Sequence, residues 1–177
     1  MAELQDRHAV EISWLPYELR PEPAPLPRID GPEGERFHEN WRRGVAPLAE
    51  RFGVEMRFPP YKPRSRRAHE AAEHAREHGD FEAMRVGLFR AFFVDNRDLG
   101  DVDVLVDVGV QAGLDPEDLR AALEDSRYTE RVVELEAISA RLGVSAVPTI
   151  VIGALAVQGV QPYEVLRQVL ERAATDS

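Results

Sequence analysis

The chain has 177 residues, of which 44% are hydrophobic and 31% charged, and its formal net charge is −10. This length suits one domain or one domain with a large insertion, and the hydrophobic fraction excludes a disordered chain. The acidic balance argues against a nucleic-acid partner and against binding to an anionic membrane surface. There is no cysteine, which excludes disulfides, cysteine-ligated metals and a thiol nucleophile carried by these residues.

The N-terminal residues are polar and charged and do not resemble a signal peptide. No apolar run approaches the ~18 residues that a membrane-spanning helix requires. The sequence therefore predicts a cytoplasmic protein with no membrane partner.

The first predicted element is a strand over residues 10–19, rich in strand-forming residues. Val10, Ile12 and Trp14 would share one face of it because side chains alternate along a strand. Prolines then recur between Pro21 and Pro32, which is typical of an extended connector without helix.

The middle of the chain is predicted to be helical. A first amphipathic helix covers residues 35–52, and Ser or Asp residues suited to N-capping precede the later helices. Asp115 followed by Pro116 is typical of a helix start. The predicted N-caps are Ser65, Asp80, Asp101, Asp115 and Ser126.

The hydrophobic pattern changes near the C-terminus. Residues 149–158 are predicted to form two short strands joined by a tight turn near Gly153, and Pro162 opens a final amphipathic helix. The order of strand, helical block, two strands and helix favours an α/β layer with an inserted helical domain.

Two C-terminal stretches resemble the closing half of the DsbA/FrnE-like thioredoxin-fold oxidoreductases. These are LGVSAVPTIVIG at residues 142–153 and VQGVQPYEVL at residues 157–166. The family is related to 2-hydroxychromene-2-carboxylate isomerases and kappa-class glutathione transferases. The resemblance extends from about Leu4 onward. It implies an α/β thioredoxin-like fold in residues 1–32 and 143–177, with a large all-helical insertion at residues 33–142.

The resemblance also implies a substrate-binding loop at Ala146, Val147 and Pro148. In this family the proline follows a cis peptide bond, which makes a tight bend and exposes the backbone of the preceding residue. That backbone would pair with an extended thiol-containing peptide, or with a glutathione-like molecule, as an added strand.

The sequence departs from the family at its beginning. The family starts with a strand and a C-x-x-C motif at a helix N-terminus, whereas residues 1–7 resemble only the end of that helix. We therefore expect that Met1 is not the native start. A sheet lacking its first strand would expose strand edges, which a second copy of the chain could cover as a homodimer.

Three functions are consistent with this resemblance. The first is membership of the thiol–disulfide oxidoreductases, redox-inactive as written because cysteine is absent. The second is a glutathione-dependent isomerase or transferase, which needs no cysteine. The third is a non-catalytic protein that binds a peptide or another partner. No residue is assigned as catalytic, and glutathione is the one cofactor that the resemblance allows.

Two other clusters contain residue types that occur in binding sites. His74 and His78 are spaced i,i+4 on a predicted helix, a spacing that could ligate a metal. A solvated helix with charge pairs is the favoured interpretation, and no metal is assigned. A basic cluster could hold a carboxylate but is interpreted as ordinary surface; it consists of Arg57, Lys62, Arg64, Arg66 and Arg67.

Overall fold

The computed structural model describes residues 2–60 and 62–175. The helices are α1 (Ala2–Arg7), α2 (Gly31–Asn40), α3 (Ala46–Arg51), α4 (Arg66–His78), α5 (Phe81–Phe93), α6 (Val102–Gln111), α7 (Pro116–Glu124), α8 (Thr129–Arg141) and α9 (Tyr163–Thr175). The strands are β1 (Thr149–Ile152) and β2 (Leu155–Gln158). The chain divides into two compact units, one of residues 1–19 and 134–177 and the other of residues 20–133.

The core of the second unit is built around α4. Ala68, Ala71, Ala72 and Ala75 are buried on this helix and recur at the spacing of one helical face. Small side chains allow neighbouring helices to approach closely, and larger apolar residues of α5, α6 and α7 complete the core. Among these, the largest fully buried side chains are Met84, Leu105, Leu119 and Leu123.

Three aspartates cap the helices as predicted. Asp80 accepts a hydrogen bond from the Ala83 backbone N–H at the start of α5. Asp101 and Asp115 do the same at the starts of α6 and α7. Each bond satisfies a backbone donor that the helix itself leaves without a partner, which fixes where the helix begins.

Other helix boundaries differ from the prediction. Ser65 precedes α4 but its side chain makes no capping hydrogen bond. The predicted cap Ser126 is wrong, because this residue has a left-handed backbone (φ 54°) and α8 begins only at Thr129. The helix predicted over residues 35–52 begins earlier in the structure, at Gly31, and is not continuous. A π-helical turn at Trp41–Val45 separates α2 from α3.

In the first unit, the predicted strand over residues 10–19 is wrong. These residues form no strand, because strand structure depends on hydrogen bonds to a neighbouring strand. Within the described residues the sheet is the antiparallel pair β1–β2, with Thr149 opposite Gln158 and Ile152 opposite Leu155. The end of α1 is joined to the start of α9, where His8 Nε2 lies 3.0 Å from the Tyr163 hydroxyl. Met1 lies outside the described residues.

Local hydrogen bonds explain where the two units divide. The Arg64 side chain donates to the Arg20 carbonyl over 2.7 Å, which holds the proline-rich connector in the helical unit. The Glu18 backbone N–H donates to Glu136 over 2.8 Å, which places the end of α8 with the N-terminal segment. The boundaries inferred from the sequence, after residues 32 and 142, remain a prediction about the family's domains.

No helix in the described ranges combines the length and apolar character needed to cross a membrane.

Gly109 on α6 lies where α7 packs closely against it. A Cβ atom at this position would lie 2.3 Å from Cδ2 of Leu119, which is fully buried on α7. We expect Gly109→Ala to lower the free energy of unfolding by about 1–3 kcal/mol, because overpacking a filled core costs that much. Urea unfolding followed by circular dichroism measures this change.

Gly44→Ala is the matched control. Gly44 lies in the π-helical turn, and a Cβ atom there would have no neighbour within 4 Å. This variant should be neutral or more stable by about 0.5–1 kcal/mol, because alanine loses less backbone entropy than glycine. Equal losses in both variants would show that the α6–α7 approach is not tightly packed.

Candidate functional site

The loop predicted to bind substrate connects the end of α8 to β1. α8 is followed by Gly143, whose left-handed backbone (φ 74°) glycine adopts without strain. The Thr149 hydroxyl donates to the Ala146 carbonyl over 2.6 Å, which closes the loop against the start of β1. The Pro148 carbonyl accepts from the Gly159 backbone N–H over 2.8 Å, which extends the hairpin pairing by one bond.

Val147 is the open point of this loop. Val147 is 47% exposed, and the peptide bond between Val147 and Pro148 is cis. Among the described residues, neither the backbone N–H nor the carbonyl of Val147 has a hydrogen-bond partner. The structure thus brings Ala146, Val147 and Pro148 to the end of the hairpin, and their role in substrate binding remains a prediction.

Glutamine side chains support the base of the loop. The Gln158 side-chain amide donates to the Ser145 hydroxyl over 3.3 Å. The Gln161 amide donates to the Gln158 carbonyl over 2.7 Å. These bonds tie the loop and the approach to α9 to the last residue of β2, so the backbone around Val147 is held by its neighbours.

The basic cluster does not form one anion-binding pocket. Arg57 pairs with Glu55 at 3.1 Å, and Arg64 lies 3.9 Å from Glu22. Nζ of Lys62 lies 5.2 Å and 5.5 Å from the ring centres of Phe37 and Phe58. Burial lowers the pKa of Lys62 from its ordinary value. These local partners agree with the interpretation of the cluster as ordinary surface.

A buried polar seam runs along α4, formed by Glu70, Glu73 and His74. Arg76 donates to both carboxylate oxygens of Glu73 over 3.2 Å. The Thr129 hydroxyl donates to Glu70 across 59 residues of sequence. Buried carboxylates are tolerated when they are paired and hydrogen-bonded in this way.

Tyr128 contacts the exposed end of the seam, at Glu77 and His74. Its hydroxyl donates to Glu77 over 2.8 Å, and its ring meets the His74 ring edge-on at 5.5 Å. Burial, together with the hydrogen bond to Glu77, raises the pKa of Tyr128 to about 12. The phenol therefore stays protonated and continues to donate at any ordinary pH.

The structure also places Asp118 close to His74 and His78. The sequence alone did not identify Asp118 as part of this cluster. His74 Nε2 lies 3.4 Å from Oδ2 of Asp118, which comes from the first turn of α7. Burial is the main cause that lowers the pKa of His74. In the sequence, the helix start at Asp115–Pro116 places Asp118 in the first turn of a helix. It does not show which residues the Asp118 side chain faces.

The β1–β2 hairpin, the loop that precedes it and the large helical block agree with the thioredoxin-like class that the sequence predicts. The sequence model of the DSBA-like thioredoxin domain family matches residues 1–171, so the chain belongs to this family. The predicted fold class, an α/β thioredoxin-like fold with a large helical insertion, is confirmed by this match, and the chain contains both a small sheet and a large helical block.

One curated relative is the Uncharacterized protein YwbO of Bacillus subtilis (strain 168). The two sequences are 31% identical over 173 residues, which cover 94% of this chain and 82% of the relative. Its name carries no statement of activity, so it supports the family and no narrower function.

Two Glu–Arg pairs can be compared to test whether the buried carboxylate of Glu73 depends on its arginine partner. Glu73–Arg76 and Glu82–Arg85 are both spaced i,i+3, but the side chain of Glu73 is 5% exposed and that of Glu82 is 58% exposed. We expect Arg76→Met to lower the free energy of unfolding by about 1–3 kcal/mol, because the buried Glu73 carboxylate loses its hydrogen bonds and keeps only Arg131, at 3.7 Å, as a partner among the described residues.

Arg85→Met is the control for this pair. Both arginines also face a phenylalanine ring, but Arg76 lies closer to its ring, with Cζ 3.7 Å from the centre of Phe81 against 6.0 Å between Arg85 and Phe89. Arg85→Met should cost no more than about 1 kcal/mol, because the Glu82 carboxylate remains hydrated. Chemical unfolding of both variants compares the two costs, and similar costs would contradict the assignment of Glu73 as a buried charge that depends on its partner.

Proposed function

We propose that this chain binds an extended thiol-containing peptide along Ala146, Val147 and Pro148, within a family whose general function is thioredoxin-fold oxidoreductase-like. The peptide would join the hairpin end as an added strand, through backbone hydrogen bonds to Val147. The 177 residues contain no cysteine. Any thiol that reacts at this site must therefore come from outside these residues.

One observation carries the proposal. Val147 presents both an N–H and a carbonyl that lack partners in the described parts of the chain, two residues before β1 begins. An exposed, unpaired backbone next to a strand is a template for another extended segment. The bonds from Thr149 to Ala146 and from Gly159 to Pro148 hold this template on both sides of Val147.

A glutathione-like thiol is the second ligand class for the same backbone, since glutathione is itself a short peptide. The DsbA/FrnE-like redox role, the glutathione-dependent alternative and the cytoplasmic location are proposals from the resemblance. A homodimer, and the absence of nucleic-acid and membrane partners, likewise remain predictions.

Backbone pairing can be tested with two matched peptides. One is an extended hexapeptide with a central S-methylated cysteine, and the other is the same peptide N-methylated at the residues flanking that cysteine. We expect the unmethylated peptide to bind about two- to tenfold more tightly, because N-methylation removes the peptide donor to the Val147 carbonyl and one lost hydrogen bond costs about 0.5–1.5 kcal/mol. Calorimetry gives the affinities, and the Val147 amide signal in a ¹⁵N spectrum should shift on binding.

Val160→Ser serves as the protein control. Val160 is an equally exposed valine of the same unit, outside the loop, so its variant should bind the peptide as the parent chain does. Equal affinity for the two peptides, or a peptide-induced shift that leaves the Val147 amide unchanged, would contradict strand addition at this loop. Binding of S-methylglutathione with a Val147 shift, but of neither peptide, would favour the glutathione class.

A further inference from the structure

The helical unit contains a second cluster with ligand chemistry, distinct from the loop at Val147. His74 and His78 lie one turn apart on α4, with ring centres 4.6 Å apart. Asp118 reaches the same point from α7. One ligand atom from each of the three residues lies within 4.8 Å of the other two. Two imidazoles and one carboxylate are a donor set that zinc and similar ions favour.

The distance between His74 and Asp118 suits a shared ion. Nε2 of His74 lies 3.4 Å from Oδ2 of Asp118, longer than a good hydrogen bond. Bonds of about 2.0–2.1 Å to a tetrahedral zinc ion place two ligand atoms about 3.4 Å apart. The observed separation therefore matches two ligands on one ion better than it matches a direct hydrogen bond.

His74 supplies a second, independent observation. Its side chain is 1% exposed, and its Nδ1 atom is buried without a hydrogen-bond partner in the described residues. A buried polar nitrogen without a partner is uncommon, because losing contact with water without a compensating bond is costly. An ion bound at Nε2, the nitrogen that faces Asp118, would give this buried ring one strong partner, whereas Nδ1 on the opposite side of the ring would remain without one.

The carboxylate is already oriented by its neighbours. Oδ1 of Asp118 accepts from Arg127 over 2.9 Å, which leaves Oδ2 to face His74. The Asp118 backbone N–H donates to Asp115, which fixes the turn that carries it. Hydrogen bonds that orient a ligand in this way are usual in protein metal sites. Arg127 also brings a positive charge, which opposes a cation and favours a moderate rather than a very high affinity.

The third ligand opens the site to solvent. The side chain of His78 is 48% exposed, so an ion can enter from this side and retain a water molecule as a fourth ligand. We propose that His74, His78 and Asp118 bind one divalent transition-metal ion of the zinc class. Such an ion would tie α4 to α7 and would leave one coordination position available for a small ligand.

The test uses the full chain, stripped of metal with a chelator and titrated with Zn²⁺ by calorimetry. A parallel titration with Co²⁺ reports geometry, because a tetrahedral cobalt ion absorbs strongly in the visible range. We expect one ion per chain and the visible spectrum of a tetrahedral ion. Zn²⁺ should also raise the thermal midpoint, since an ion that binds only the folded chain stabilises it.

Three variants decide whether these residues are the ligands. His78→Ala and Asp118→Asn alter residues outside the apolar core, and circular dichroism of the metal-free variants checks their folding. Each should weaken Zn²⁺ binding by about tenfold or more and abolish the visible cobalt spectrum. His38→Gln, which changes a histidine that packs on Phe58 away from this cluster, should bind Zn²⁺ as the parent chain does.

Loss of binding in both ligand variants, with binding retained in His38→Gln, would support the site. Unchanged Zn²⁺ affinity in His78→Ala and Asp118→Asn would overturn it, because scattered surface histidines would then account for the binding. Failure of the parent chain to bind Zn²⁺ at millimolar concentration, or an octahedral cobalt spectrum without a thermal shift, would also overturn it.

Discussion

The helical unit depends on one constraint, which is that α4 is buried on nearly all sides. Ala68 and the run from Glu70 to Ala75 are all buried. A helix surrounded in this way needs small side chains where other helices approach it, and the polar side chains that it buries need partners. The alanines meet the first requirement, and the pairing of Glu73 with Arg76 helps to meet the second. The same helix therefore contributes the alanines of the tight core and the buried polar side chains of the seam.

Local features of this fold were predictable from sequence because short-range forces fix them. Asp80, Asp101 and Asp115 cap helices through bonds to residues two or three positions away. The hairpin and the last helix follow from patterns of the same short range. The strand over residues 10–19 was mistaken because its alternation of side chains does not supply the neighbouring strand that its backbone would need.

The candidate sites were predictable only in part. The loop at Val147 was found through the family resemblance, whereas its unpaired backbone groups became visible only once the surrounding hydrogen bonds were known. The spacing of His74 and His78 was evident in the sequence, but it was interpreted as an ordinary helix surface. Asp118 lies 44 residues beyond His74 in the sequence, and only the packing of α7 against α4 reveals what it faces. Contacts of this range cannot be inferred from periodicity.

The position of Lys62 beside two phenylalanine rings has a practical consequence. Of 22 basic side chains, 21 are arginine, so this is the one lysine amine in the chain. It is half-buried, with its nitrogen beside the rings of Phe37 and Phe58. A reagent that acylates amines has this single side-chain target beside the α-amine of the chain, so a dye or a surface linker attaches at no more than these two kinds of amine. Lysine-specific proteases likewise have one recognition site, partly covered by those rings.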